Sequence, residues 1–336
     1  MTPRPNTVLD YWGFPHIIDA ILSYADRRTL IAARSTCRAL RDKADALLVY
    51  HLASDPTGEL VHGIDGGRLP AFYPGLVVAK NGRARGTLTA RQHRLLAHVR
   101  VLDMPHRSSV LLPPLGTAIS SVQTLRMAFA GGTGDEVACP RIVLFRSPTR
   151  PELSFPFAPV SCVRKRVCNV RKVVCNFTYC RGSTSATGGA INVVLPDSTS
   201  ELVIVYTPSS EPPPRNARDV TLSTVEEIAY HASRGIEARY TLVDFPLLEE
   251  LRTHDGSRLA TPPAAQEYFL RLLREHIAAR ERQKGVQVER STTVQAVKAH
   301  VRFLTREEYA SSLTPDEFHF ETTMPPTMGE DVRCSL

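Results

Sequence analysis

The chain has 336 residues, 43% of them hydrophobic and 22% charged, and its formal net charge is +7. That balance excludes a disordered polyelectrolyte and allows one large domain or a small module joined to a larger one. No apolar run approaches the roughly 18 residues that span a bilayer, and MTPRPNTVLDYWGF lacks the apolar stretch of a secretory leader, so the expected location is cytoplasm or nucleus.

Residues 1–13 hold two prolines and read as a flexible lead-in. From Pro15, placed where a helix's first turn needs no N–H, Ile17, Ile18, Ile21, Leu22 and Ala25 mark one helical face. Asp26 is placed to cap a second helix carrying Leu30, Ile31, Ala33 and Arg34. A third helix, about Ala39 to Ala53, presents Leu40, Leu47, Leu48 and Leu52. The expectation is a compact three-helix unit over 14–54, too small to bury all of its apolar surface alone.

Residues 55–92 are punctuated by Gly, Pro and Arg and read as an irregular linker. Strand-like pieces follow at 98–104, 122–127, 141–145, 170–179, 201–206, 225–231 and 247–253. One central apolar residue from each (Leu102, Leu125, Leu144, Val174, Ile204, Ile228, Leu251) gives steps of 19 to 30 residues. Those steps lie near the roughly 20–29-residue period of leucine-rich repeats, though no full repeat signature occurs. The expected body, over 93–310, is either a degenerate solenoid or a parallel sheet with irregular crossovers. Residues 263–284 predict an amphipathic helix, with Tyr268, Phe269, Leu272, Leu273 and Ile277 turned inward to cover one side of the body. A last strand is expected at 297–305, and 311–336 reads as a Pro-rich tail. The fold class is thus α+β: a small N-terminal three-helix unit followed by an irregular α/β domain.

Phe14-Pro15, then Ile18, Ile21 and Leu22, then Leu30 and the run Ser35-Thr36-Cys37-Arg38-Ala39-Leu40-Arg41 carry a resemblance. The N-terminal unit resembles the F-box, in the divergent F-box-like form common in basidiomycete fungi. Phe14-Pro15 stands where F-boxes carry Leu-Pro, and the segment Ser35 to Arg41 where they carry V-C-K/R-x-W/F-R. RKVVCNFTY, ELVIVYTP and RFLTREEY look like a layout recurring in fungal F-box-like proteins. The resemblance implies a non-catalytic, substrate-recruiting adaptor of a cullin–RING (SCF-type) ubiquitin ligase. Its helical unit would dock on the Skp-family adaptor protein, and its repeat-like body would hold an unknown target. The docking residues expected on that basis are Phe14, Pro15, Ile18, Ile21, Leu22, Leu30, Cys37 and Leu40, by helix-in-groove contact.

Other chemistry is sparse. Seven cysteines suit free thiols in a reducing compartment. Cys162, Cys168, Cys175 and Cys180 are spaced by six, seven and five positions, and Cys168 and Cys175, seven apart, would face opposite sides of a strand, so apolar filling is expected and not metal binding. Gly131 to Glu136 lacks the lysine of a phosphate loop, and no nucleophile elbow, zincin or dinucleotide motif occurs. No histidine is tied by spacing to a carboxylate or cysteine, so neither an enzyme nor a cofactor is expected. The basic run Arg164, Lys165, Arg166, Arg171, Lys172 and Arg181 is a candidate anionic-ligand patch. It supports the alternative reading, a protein that binds nucleic acid or an acidic ligand through 164–181.

Overall fold

The computed structural model describes residues 13–54, 60–63, 89–104, 120–128, 139–145, 170–180, 185–186, 193, 195–209, 219–284 and 300–325. It opens with three helices, α1 (Pro15–Ser23), α2 (Arg27–Arg34) and α3 (Arg38–Tyr50). Pro15 occupies the first turn of α1, and the Asp26 carboxylate caps α2 by accepting from Thr29 N–H. Leu22, Leu30, Ala44 and Leu48 are buried together at the centre of this unit, with Ile18, Ala25, Ile31, Ala33, Leu40 and Leu47 packed around them.

The third helix is shorter than expected. At His51 the backbone turns extended (φ −123°, ψ 111°), and β1 (His51–Ser54) leaves α3 with no loop between them. The helical unit therefore runs straight into a sheet, and the boundary drawn after residue 54 falls inside that sheet's chain. The remaining elements are β2 (Leu60–His62), α4 (Ala90–Leu96), β3 (Val101–Met104), β4 (Thr124–Ala128), β5 (Arg141–Phe145), β6 (Lys172–Cys180), β7 (Ser185–Ala186), β8 (Glu201–Ser209), α5 (Val220–Ser233), β9 (Arg239–Val243), α6 (Pro246–Glu250), α7 (Pro262–Gln283), β10 (Val301–Leu304), α8 (Arg306–Ser311) and α9 (Pro315–Thr322).

The strands form one mixed sheet in the order β2-β1-β3-β4-β5-β6-β8-β9-β10, with β7 paired to β6. Only the β1–β2 and β6–β7 pairs are antiparallel; every other neighbour is parallel and follows in chain order. The register stacks Leu52, Leu102, Leu125, Ile142, Val173, Leu202, Tyr240 and Val301 in one row across eight strands. This row lies in the main core, on the face where α4, α5 and α7 contribute Leu96, Ile228 and Phe269. Each such aliphatic side chain contributes about 1.5–3 kcal/mol on full burial. The opposite face presents Val143, Phe145, Val174, Val203, Val205 and Val243, and is covered by Tyr309 of α8 with Leu313, Phe318 and Met324. A sheet buried on both faces explains why its strands read as continuous apolar runs.

Two expected strands are helices. Residues 225–231 lie within α5, where Val225, Ile228, Ala229 and Ala232 recur at helical spacing and the Asp219 carboxylate caps Leu222 N–H. Residues 247–253 contain the short α6, which starts at Pro246 and stops where Leu251 turns left-handed (φ 52°). The strand that belongs between them is β9, whose RYTLV was not singled out. Part of the expected tail is also ordered: Thr314 and Glu317 form a reciprocal cap on α9. The lead-in over 1–12, the linker over 55–59 and 64–88, and the tail over 326–336 lie outside the described residues.

Candidate docking surface

Helix α1 carries apolar side chains on two sides. Leu22 and Ile18 turn into the small core of the helical unit. On the other side Phe14, Ile17, Ile21 and Tyr24 recur at steps of three, four and three, which places them along one stripe. They are 51%, 43%, 55% and 92% exposed, and with Tyr50 they are the large hydrophobic side chains left in solvent among the described residues. Scattered exposed apolar residues need no explanation, whereas four aligned within eleven residues, on α1 and its two caps, do. The ridge is held in place by Leu22 beneath it and by an ion pair between Asp19 and Lys43 of α3. Beside it a hollow of about 230 Å³ is lined by Leu22, Ala46 and Leu47, with the Asp19–Lys43 pair at its edge.

This arrangement sorts the eight expected docking residues. Phe14, Pro15, Ile21 and Cys37 are exposed. Leu22 and Leu30 are corrected to core residues, because their side chains meet Ala44 and Leu48 inside the unit. Ile18 and Leu40 are half-buried and pack against that same core. Ile17 and Tyr24 were missed as surface residues. Their signal was present in the 14, 17, 21, 24 spacing, but Ile17 was grouped with Ile18, Ile21, Leu22 and Ala25 on one face.

The anionic-ligand patch is divided differently. Arg164, Lys165 and Arg166 lie outside the described residues. Arg171 is exposed at the start of β6, while the Lys172 ammonium pairs with Glu321 of α9 at 2.8 Å, so it is no longer a free cation. Cys175 and Cys180 are buried free thiols, and burial raises the Cys175 thiol far above its ordinary range. Cys162 and Cys168 lie outside the described residues; among the described ones no group of His, Cys, Asp and Glu is placed to hold a metal ion.

Two clusters of ionisable groups invite comparison with catalytic sites. His51 Nε2 lies 2.9 Å from Asp103, and Arg126 lies 3.5 Å from the same carboxylate. Arg126 also donates to the carbonyl of Thr323 and sits over the rings of Phe145 and Phe320. Desolvation lowers the Arg126 pKa, and the neighbouring Asp103 charge opposes that shift. The three side chains are at most 4% exposed, so the cluster joins β1, β3, β4 and the chain after α9 and offers no access to a substrate. Gly63 packs against the His51 ring so closely that a Cβ there would lie 2.3 Å from it. The second cluster, Glu227 and His231 one turn apart on α5, is likewise enclosed: Glu227 accepts from Val193 N–H and His231 Nε2 donates to Val193 C=O. Both clusters are internal struts.

No helix among the described residues is long and apolar enough to cross a membrane. No protein-family model matches the chain, and neither a curated protein nor a solved structure matches it.

Proposed function

We propose that the chain is a non-catalytic adaptor whose α1 ridge docks on the Skp-family adaptor protein of a cullin–RING ubiquitin ligase, with the α/β body holding a target protein. One observation carries the proposal: Phe14, Ile17, Ile21 and Tyr24 form an aligned, solvent-facing apolar stripe on a helix whose other side is already packed. A stripe of this kind suits insertion of one helix face into a partner's groove, and the F-box resemblance of the same segment supplies the partner. Parallel strands that pair in chain order, at steps near the repeat length, support a leucine-rich-repeat-like reading of the body. A ligase adaptor of this kind works in the cytoplasm or nucleus.

The test is co-purification of the full chain with a Skp-family adaptor. The double substitution Ile17→Asp with Ile21→Asp removes two apolar anchors of about 1.5–3 kcal/mol each, a loss of more than about a hundredfold in affinity. Both side chains face solvent, so the melting temperature should hold while capture is lost. Undiminished capture by the double variant would overturn the assignment.

A further inference from the structure

The N-terminal ends of the parallel strands β3 to β6 form a rim, and α9 crosses it without closing it. Between them lies a pocket of about 460 Å³ whose cationic lining is Arg100, Arg141, Arg171 and Lys172. These charges are not equally engaged. The Arg141 guanidinium is shared by Glu317 at 2.7 Å and Glu321 at 3.2 Å, and Lys172 is held by Glu321. Arg100 is positioned without being neutralised: its Nη1 donates to two backbone carbonyls, Ala97 at 3.3 Å and Ser121 at 3.0 Å. Arg171 is exposed and makes no ion pair among the described residues. Among the described residues, the one carboxylate of the lining that pairs with no cation is Asp316, on the first turn of α9. The rim therefore keeps an excess of fixed positive charge facing a concave space.

The rest of the wall mixes apolar and aromatic side chains with the polar Gln123, Thr124 and Thr314. Tyr50, the last residue of α3, and Phe320 of α9 stand beside Val101 and Pro140. A free inorganic anion would fill only part of this volume, which is within the roughly 300–1,000 Å³ of small-molecule sites. Guanidinium forks favour tetrahedral dianions, to which they donate paired hydrogen bonds. We propose that this pocket binds a phosphate monoester: the phosphate lies between Arg100 and Arg171, and an aromatic or aliphatic stem lies against Tyr50 and Phe320. The site uses a different surface from α1, so its failure and the failure of the docking assignment are separate results.

The experiment is calorimetric titration of the full chain with phenyl phosphate, inorganic phosphate and phenol. Phenyl phosphate should bind saturably and more tightly than inorganic phosphate, with an affinity that falls as salt rises, and phenol should not bind. Arg171→Gln should weaken phenyl phosphate by at least about tenfold, the loss of one charge-assisted hydrogen bond, and Asp316→Asn should strengthen it. Both residues are exposed, and the melting temperature without ligand checks that each variant folds. Absence of saturable binding, or unchanged binding by Arg171→Gln, would overturn the site. Equal affinity for phenyl phosphate and inorganic phosphate would overturn the ester assignment.

Discussion

Glu227 and His231 sit one helical turn apart on the buried side of α5, and burial moves their proton affinities in opposite directions. Desolvation raises the Glu227 pKa from 4.5 to about 8, and lowers that of His231 from 6.5 to about 3, helped by the charges of Arg234 and Arg280. Between pH 4.5 and 6.5 the native pair holds its proton on Glu227, while the unfolded pair holds it on His231. The two states then bind equal numbers of protons, and this pair gives stability no slope with pH. Above 6.5 the native state holds the extra proton, so stability falls as pH rises toward 8. Below 4.5 the unfolded state holds it, so stability falls as pH drops toward 3. Urea titrations across pH should show Glu227→Gln extending the acid loss up to 6.5, about 2 kcal/mol between pH 6.5 and 5. His231→Gln should extend the alkaline loss down to 4.5; slopes unchanged by both variants would contradict the assignment. Asp103 makes a different kind of residue prediction. It is the only carboxylate facing His51 and Arg126 among the described residues, so Asp103→Ala strands a guanidinium that is 2% exposed. Denaturant unfolding should register a loss of about 3–5 kcal/mol.

At the scale of elements, α1 and α9 test the same idea, that one helix face is structural and the other is free. On α1 the neighbours Ile21 and Leu22 point opposite ways, 55% and 5% exposed. Thermal denaturation should therefore find Ile21→Asp within about 0.5 kcal/mol of the parent, and Leu22→Asp costing about 3–5 kcal/mol through a charge placed in the small core. On α9 the buried Glu321 accepts from Lys172 and Tyr309 and pairs with Arg141. Glu321→Ala should cost about 3–5 kcal/mol, and much of that should return when Lys172→Met removes the stranded ammonium as well. The elements that were legible in the sequence were those whose pattern matched their burial. Strands such as ELVIVY are covered on both faces and read as unbroken apolar runs, and α7 is covered on one face and shows one stripe. Helix α5 was missed because buried polar residues, Thr221, Ser223, Thr224, Glu227 and His231, interrupt its stripe, so a short window caught only VEEIAYH. Helix α9 was missed because 311–336 was read as one Pro-rich tail, whereas Pro315 is a first-turn residue. For the α1 ridge the spacing was legible, but which face was inward depended on α3, and that is a tertiary fact. The phosphate pocket was legible only in Arg171 and Lys172, since Arg100 and Arg141 join them through strand register.

For the whole molecule, the decisive feature is the absence of a joint between the helical unit and the sheet. Helix α3 sends Leu48 into the small core, while Val49 and the following Leu52 of β1 enter the main one. Asp45 of the same helix pairs with Arg34 of α2 and lies 3.7 Å from Arg91 of α4. The small core has four fully buried side chains. That is too little to order a chain close to the roughly 40-residue limit below which unaided folding generally fails. The main body must therefore hold α3 for α1 and α2 to have something to pack on, and the α1 ridge inherits its shape from the sheet. A fragment of residues 13–54 should accordingly be largely non-helical by far-ultraviolet circular dichroism, while the full chain unfolds its helices and near-ultraviolet signals in one shared transition. A fragment that melts cooperatively with native-like helicity would show that the ridge is carried by an independent module, and that the continuity from α3 to β1 has no energetic consequence.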